Sequence, residues 1–182
     1  LPDWRPESNY KNNYGAKKKW GGGVTLDLIH EIDLIHWFFG EVEHVSGMLG
    51  YTPKLDIETE TISSINLKLK ANIICNIELD YVSPILRRKM EIVGEKGIIN
   101  WDFIEGCVTL SDKKVNKKVI HKLDNGFQRN DMFLDELKDF LNSIDNSYYQ
   151  EDRLDSSIMA LKTAICALES NEKKKFISPL DL

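Results

Sequence analysis

The segment from Gly21 to Gly40 constrains the fold of this chain more than any other. Three consecutive glycines open it, Gly40 closes it, and the intervening stretch, VTLDLIHEIDLIHWFF, is almost wholly apolar. A glycine triplet does not sustain a helix, and glycine is the residue preferred at a left-handed C-terminal cap. The pattern therefore predicts one helix of about four turns that begins after Gly23 and ends at Gly40.

This apolar helix carries five ionisable side chains, Asp27, His30, Glu31, Asp33 and His36. A helix that is apolar on every side is normally buried, and a buried charge is costly unless it is paired or used. Helical spacing places Asp27 and His30 on one face, where a carboxylate can orient an imidazole for proton transfer near neutral pH. Each residue alone also has a structural explanation, as a hydrogen-bonded core histidine or a first-turn acid favoured by the helix dipole. Together they favour a functional site.

The sequence contains no clear motif for a metal or a nucleotide. The side chains of His30, Asp33 and His36 point in different directions around the helix, so we expect no metal site. No G-x-G-x-x-G follows a strand, and the glycine triplet precedes a helix without a βαβ unit. We therefore expect neither a Rossmann domain nor any cofactor-binding residue in this chain.

After Gly40 the apolar pattern alternates with a period of two, which is typical of strands. The alternation at 65–69 and 73–81 predicts a hairpin with its turn near Lys70 and Ala71. Further short strands are predicted at 86–93, 98–103, 107–110 and 119–123. Their links are too short for parallel crossovers, so the strands are expected to pair antiparallel.

Helical periodicity returns in the last third of the chain. Asn130 can cap one helix, whose apolar stripe comprises Phe133, Leu134, Leu137, Phe140, Leu141 and Ile144. A second helix, from about Asp155 to Ser170, is expected to bury Ile158, Leu161, Ile165 and Leu168. The order of elements predicts an α+β fold, a mainly antiparallel open sheet with helices packed on one face.

Length and composition set the expected organisation. A chain of 182 residues that is 42% hydrophobic predicts a single domain over 1–182, with the polar residues 1–19 as an extended arm. Apolar side chains such as Ile62 and Ile74 remain on the second sheet face. That face predicts a homo-oligomer in which a partner subunit covers it.

Charge and cysteine content exclude several classes of protein. The net charge of −5 argues against nucleic-acid binding, and the three lysine groups are expected to be solvated surface. The sequence contains no apolar run of transmembrane length and no signal-peptide pattern, so we expect no membrane association and a cytoplasmic location. The three cysteines, Cys75, Cys107 and Cys166, are odd in number and widely spaced, and are expected to be small buried apolar residues without a catalytic role.

The residues from Gly21 to Glu41 resemble the opening of the C-terminal domain of the Gfo/Idh/MocA oxidoreductases. Segment 88–97, RKMEIVGEKG, resembles that family's sheet segment, and 130–140 and 161–170 resemble its closing helices. In this family an N-terminal Rossmann domain holds NAD or NADP, while the C-terminal domain supplies the substrate pocket and the oligomer interface. The resemblance implies that the full-length parent is an NAD(P)-dependent dehydrogenase. It also implies that this chain alone, without the dinucleotide-binding domain, binds no cofactor and is inactive.

The resemblance assigns the family's catalytic histidine to His30, through the shared His-Glu-Ile-Asp context. The family's acid usually lies four residues before the histidine, whereas Asp27 lies three before and Leu26 occupies the expected position. A local bulge after the glycines would restore the place of Asp27. The implied reaction is hydride transfer between a sugar-type alcohol and the nicotinamide, in which His30 moves the hydroxyl proton and Asp27 orients or relays.

The opening residues, LPDWRP, resemble a branch of the family associated with bacterial surface-carbohydrate synthesis, for which a nucleotide sugar or sugar acid is a plausible substrate. On that basis Asp3, Arg5 and Tyr14 are expected to bind substrate, since a guanidinium suits a carboxylate or phosphate. Ordinary turn chemistry in a surface arm explains the same residues equally well. A non-enzymatic oligomerisation or ligand-binding module that uses the exposed sheet is the alternative function. A dinucleotide-binding domain upstream of Leu1 in the natural protein would favour the enzyme.

Overall fold

The computed structural model describes residues 1–4, 6–70, 72–114, 117–124, 126–145 and 151–182. They form two compact units, Leu1–Val82 together with Gln150–Leu182, and Ser83–Tyr149. All strand pairs among the described residues are antiparallel. The predicted α+β class with an antiparallel open sheet is therefore confirmed, although the strands form two sheets.

Along the described part of the chain, two helices come first, seven strands follow, and two further helices come last. In chain order they are α1 (Val24–Asp27), α2 (Ile29–Phe39), β1 (Val42–Gly50), β2 (Ile62–Leu69), β3 (Ile74–Asp80), β4 (Lys89–Gly94), β5 (Gly97–Asp102), β6 (Cys107–Asp112), β7 (Lys117–Lys122), α3 (Arg129–Asp145) and α4 (Glu151–Lys173). Residues before α1 form four short 3₁₀ turns, Pro2–Trp4, Tyr10–Asn12, Tyr14–Ala16 and Lys18–Trp20. No helix of the described ranges is both long and apolar enough to cross a membrane.

The first unit is built on a three-stranded sheet in the order β1-β2-β3. The predicted hairpin is β2 and β3, with Leu67 opposite Cys75. Strand β1 was not predicted, because a register shift between Val42 and His44 breaks the alternation that marks a strand. Val42 and Val45 are consequently both buried.

Helix α4 packs on β1 through small residues. Its buried residues are Ala160, Thr163, Ala164, Cys166, Ala167 and Ser170. The prediction that Ile158 and Leu161 are buried was wrong, since they are 42% and 46% exposed. A Cβ at Gly47 would overlap the carbonyl oxygen of Ala167. The helix backbone thus lies directly on the strand, and that approach admits only small side chains.

The outer edge of β1 is covered by the end of the chain. Val45 forms an antiparallel bridge with Ile177. Further along, the amide of Gly47 donates to Ser170 Oγ at 3.1 Å and that of Leu49 donates to Asn171 Oδ1 at 3.0 Å. These bonds satisfy donors that would otherwise make this edge a template for strand pairing.

The second unit contains the sheet β4-β5-β6-β7 and helix α3. The four strands correspond to those predicted between residues 86 and 123, within a few residues at each end. Helix α3 also lies where its apolar stripe was predicted. That stripe is exposed, however, with each of its six residues between 46% and 60% accessible.

Candidate active site around Asp27

The helix predicted between Gly23 and Gly40 is two helices. Helix α1 ends at Asp27, and α2 begins at Ile29 after Leu28, whose φ of −102° and ψ of 28° are not helical. The amide of Glu31 donates to the Leu28 carbonyl at 3.0 Å, which starts the second helix. The helix is therefore irregular between Asp27 and His30. These two residues are one position closer in sequence than the family's acid and histidine, which is why a local bulge was expected. At the other end, Gly40 has φ 81° and ψ −145°, so its φ is positive but its conformation is not the expected left-handed one.

The glycine triplet lets two other segments approach the start of α1. A Cβ at Gly22 would overlap the carbonyl of Tyr14, and a Cβ at Gly23 would overlap the carboxylate of Glu60. Glu60 is buried, and its Oε1 accepts a hydrogen bond from the amide of Thr25 at 3.0 Å. A carboxylate at a helix N-terminus satisfies an otherwise unpaired amide and interacts favourably with the helix dipole.

The carboxylate of Asp27 is held by two phenols. Tyr14 donates a hydrogen bond to Oδ1, and Tyr81 donates to Oδ2 at 2.9 Å. Tyr81 is 2% exposed, whereas Tyr14 is 43% exposed. Burial, followed by the negative charge of Asp27, raises the pKa of the Tyr81 phenol, so Tyr81 remains a donor. The structure thus brings together two predicted site residues, Asp27 and Tyr14.

His30 lies at the start of α2 with an accessible imidazole. Its side chain is 51% exposed, and its Nε2 lies 3.2 Å from Glu31 Oε1. Among the described residues, no hydrogen bond or ion pair joins His30 to Asp27. The break at Leu28 interrupts the helix periodicity on which the prediction of a shared face for these two residues rests.

His36 is a hydrogen-bonded core histidine, so it has the structural role that was the alternative to a functional one for the histidines of this segment. Its Nε2 lies 2.9 Å from Thr163 Oγ1, in a buried contact between α2 and α4. Burial lowers the pKa of His36, against the opposing charges of Asp33 and Glu41. Within the described residues, no group of three His, Cys, Asp or Glu side chains is placed to hold a metal ion.

Of the remaining substrate-binding candidates, Asp3 lies in the first turn of the chain. Asp3 is exposed in the turn Pro2–Trp4. The nitrogen of Leu1 donates to the carbonyl of Tyr81 at 2.7 Å, which places the start of this turn beside the backbone of Tyr81. Arg5 lies outside the described residues.

Residues 9–18 are attached to the loop before β2. Tyr10 Oη donates to the Leu55 carbonyl at 3.0 Å, and Thr59 Oγ1 donates to the Gly15 carbonyl at 2.7 Å. Two exposed ion pairs, Lys11–Asp56 and Lys17–Glu58, follow the same path. These bonds fix the segment that carries Tyr14 beside α1.

The cysteines show no sign of a nucleophile. Cys166 is buried, whereas Cys75 and Cys107 are partly exposed, so the expectation of burial holds fully for Cys166 alone. Burial raises the pKa of the Cys75 thiol, and it raises that of Cys166 to about 11. A raised pKa disfavours the reactive thiolate.

Sequence reasoning missed two residues of this region, Tyr81 and Glu60. A signal for Tyr81 existed, because it continues the alternation of Ile77 and Leu79 and so points to the helix-covered face of the sheet. For Glu60 there was none, since a lone acid between two threonines gives no indication of burial.

Comparisons with known proteins agree with this architecture. Residues 1–100 match the family model of the GFO/IDH/MocA C-terminal domain. Among solved structures, levoglucosan dehydrogenase in complex with NADH is 13% identical with a TM-score of 0.80, covering 91% of this chain and 53% of that one. Scyllo-inositol dehydrogenase from Lactobacillus casei, with bound NAD(H) and scyllo-inositol, is 24% identical with a TM-score of 0.66, covering 87% and 49%. An oxidoreductase domain protein from Kribbella flavida is 13% identical with a TM-score of 0.79, covering 91% and 52%.

The TM-scores show a shared fold, and the chain spans about half the length of each of these proteins. No curated protein sequence matches it significantly. The family model covers more than half of the chain and includes the glycine triplet, both helices of the candidate site and the first sheet. The chain therefore belongs to the GFO/IDH/MocA family and is a C-terminal domain of that family.

Proposed function

We propose that the natural protein containing this chain is an NAD(P)-dependent oxidoreductase that acts on a sugar-type secondary alcohol or its ketone. The chain is its substrate-side domain, and a dinucleotide-binding domain forms the other part. Family membership supports the proposal, as do the solved structures that hold NADH or scyllo-inositol and are about twice as long. By this proposal the chain alone neither binds the cofactor nor turns over substrate.

The observation that carries the proposal is the arrangement around Asp27. An ionisable carboxylate is held at the end of α1 by two phenols, and an accessible imidazole follows at the start of the next helix. Alcohol oxidation needs a group that can accept a proton, because the hydroxyl proton must leave as the carbonyl forms, and a fixed carboxylate in the same site can orient the reacting groups.

His30 takes the hydroxyl proton in oxidation and returns it in reduction. Its ring is exposed enough to meet a substrate, and its Nε2 lies 3.2 Å from Glu31 Oε1. The carboxylate of Asp27 orients the reacting groups and balances the positive charge. The nicotinamide, when bound, accepts or supplies the hydride.

Tyr14, Asp3 and Arg5 provide the substrate contacts in this proposal. The Tyr14 phenol is partly exposed next to Asp27, and the turn that contains Asp3 begins beside Tyr81. A nucleotide sugar or sugar acid is the proposed substrate class, because Arg5 would complement its phosphate or carboxylate.

The three cysteines are unpaired, which supports a cytoplasmic location.

The role of His30 is tested by His30→Ala in the natural full-length protein. The assay follows NADH and NADPH absorbance with a panel of inositols, aldoses, sugar acids and nucleotide sugars. We expect kcat to fall by at least about 100-fold, the usual contribution of a general acid–base group. His44→Ala is the matched control, because His44 is exposed on β1 away from α1 and α2.

The control should keep its kcat within about twofold of wild type. A His30→Ala enzyme with near-wild-type kcat would rule out the acid–base role of His30. Absence of turnover by the wild-type protein with either cofactor across the panel would rule out the proposed function.

A further inference from the structure

Two segments that are far apart in the sequence each donate a hydrogen bond to the carboxylate of Asp27. Tyr14 belongs to the turn Tyr14–Ala16, and Tyr81 directly follows β3. Their hydroxyls bind different oxygens, Tyr14 to Oδ1 and Tyr81 to Oδ2. The carboxylate therefore cannot rotate about its Cβ–Cγ bond without losing both hydrogen bonds.

Tyr81 is fixed as a donor by its surroundings. It is almost fully buried, and its backbone amide donates to the Thr61 carbonyl at 2.9 Å. Within the part of the chain that the structure describes, Asp27, Glu60 and Tyr14 each oppose ionisation of the phenol. A buried phenol next to a carboxylate forms a charge-assisted hydrogen bond, one of the stronger kinds in proteins.

The backbone at Gly15 makes room for this cluster. A Cβ at this position would lie 3.2 Å from Tyr81 Oη and 3.4 Å from Asp27 Oδ2. The carbonyl of Gly15 accepts from the Gly23 amide at 3.0 Å and from Thr59 Oγ1 at 2.7 Å. Residues 14–15 are thus tied to both the start of α1 and the loop before β2.

We propose that Tyr81 is a positioning residue of the active site. It acts through Asp27, because its hydrogen bond fixes the orientation of the carboxylate. Tyr14 donates the second hydrogen bond and is the more exposed of the two tyrosines. We refer to Tyr14 and Tyr81 together as the clamp. The inference rests on the proposed function, since it concerns the carboxylate to which that proposal gives an orienting role. A displacement of about 1 Å in a group that orients a reaction can cost about 100-fold in rate.

Tyr81→Phe in the full-length protein tests the clamp, because it removes a single hydroxyl and keeps the ring. We expect kcat to fall about tenfold with KM within about twofold of wild type, since Tyr81 is buried and orients rather than binds. Tyr51→Phe is the matched control. It removes a phenol hydroxyl from an exposed side chain that does not contact Asp27, and its kcat should stay at the wild-type value. Thermal unfolding of both variants separates lost stability from lost orientation.

A double-mutant cycle with Asp27→Ala identifies the path of the effect. If Tyr81 acts through Asp27, adding Tyr81→Phe to Asp27→Ala should change kcat by less than about twofold. Two results would contradict the role of the clamp while leaving the proposed function intact. One is a wild-type kcat in Tyr81→Phe. The other is an equal tenfold loss when Tyr81→Phe is introduced into the wild-type protein and into Asp27→Ala. An inactive wild-type protein would instead overturn the proposed function, and the clamp with it.

Discussion

At the scale of single residues, the glycines of the triplet meet different structural needs. Gly21 has φ 73° and open space where a Cβ would lie. Gly23 combines φ 117° with the Glu60 carboxylate in the Cβ position. The two glycines are therefore needed for different reasons: Gly21 for backbone conformation, and Gly23 for both conformation and space.

Gly23→Ala and Gly21→Ala test this difference as a matched pair. Gly21→Ala should lower the free energy of unfolding by about 1 kcal/mol, the cost of a left-handed conformation for alanine. Gly23→Ala should cost about 3 kcal/mol, because the methyl group also displaces a buried carboxylate that caps α1. Urea unfolding followed by circular dichroism measures both values. Equal losses in the two variants would contradict the contact with Glu60.

At the scale of elements, α2 and α4 are joined by a buried hydrogen bond between His36 and Thr163. Because burial lowers the pKa of His36, the folded state favours the neutral ring. The unfolded chain binds a proton more readily, so stability is complete above the ordinary histidine pKa of about 6.5 and declines as the pH falls below it.

The pH dependence can be isolated with His36→Gln, which retains polar atoms that can bond to Thr163. Wild type should lose more stability than the variant when the pH is lowered from about 7.5 to about 5.5. The free energy of unfolding, measured at several pH values for both proteins, gives the difference. Parallel curves for the two proteins would show that His36 does not contribute.

At the scale of the whole molecule, the described residues include two exposed apolar surfaces. The apolar stripe of α3 is exposed, and the face of the first sheet opposite α4 carries Met48, Ile62 and Ile74 at 73%, 38% and 65% exposure. Cross-strand register places Met48 and Ile62 on one face of β1 and β2. We propose that this sheet face is the contact between subunits of a homo-oligomer, since an open apolar surface of this kind typically marks an interface.

Met48→Lys tests the interface, because it places a charge in the middle of the proposed contact. We expect the subunit dissociation constant to rise at least about tenfold, since an unpaired charge is costly to bury. The stability of the isolated subunit should not change, given the exposure of Met48. Ile85→Lys is the control, because Ile85 is also 73% exposed but lies outside the three-stranded sheet. Light scattering coupled to size exclusion would refute the interface if both variants kept the wild-type mass.

The sequence by itself determined the class of the fold and the family. Period-two alternation and short links define antiparallel strands, and helical periodicity locates α3 and α4, because these signals arise from residues close together in the chain. The glycine triplet and the motif around His30 indicated the family, which the family model confirms. Burial of Ile158 and Leu161 was predicted wrongly for α4, since the close approach of Gly47 to Ala167 is a contact between distant segments.

Only the tertiary structure decided how the site is assembled. The helix break at Leu28 separates Asp27 from His30, and Asp27 bonds instead to Tyr14 and to Tyr81, which lies 54 residues away. Sequence periodicity reports which face a side chain occupies but not what lies opposite that face. The partners of Asp27 are therefore set by how the arm, α1 and β3 pack together, and that packing depends on the whole first unit.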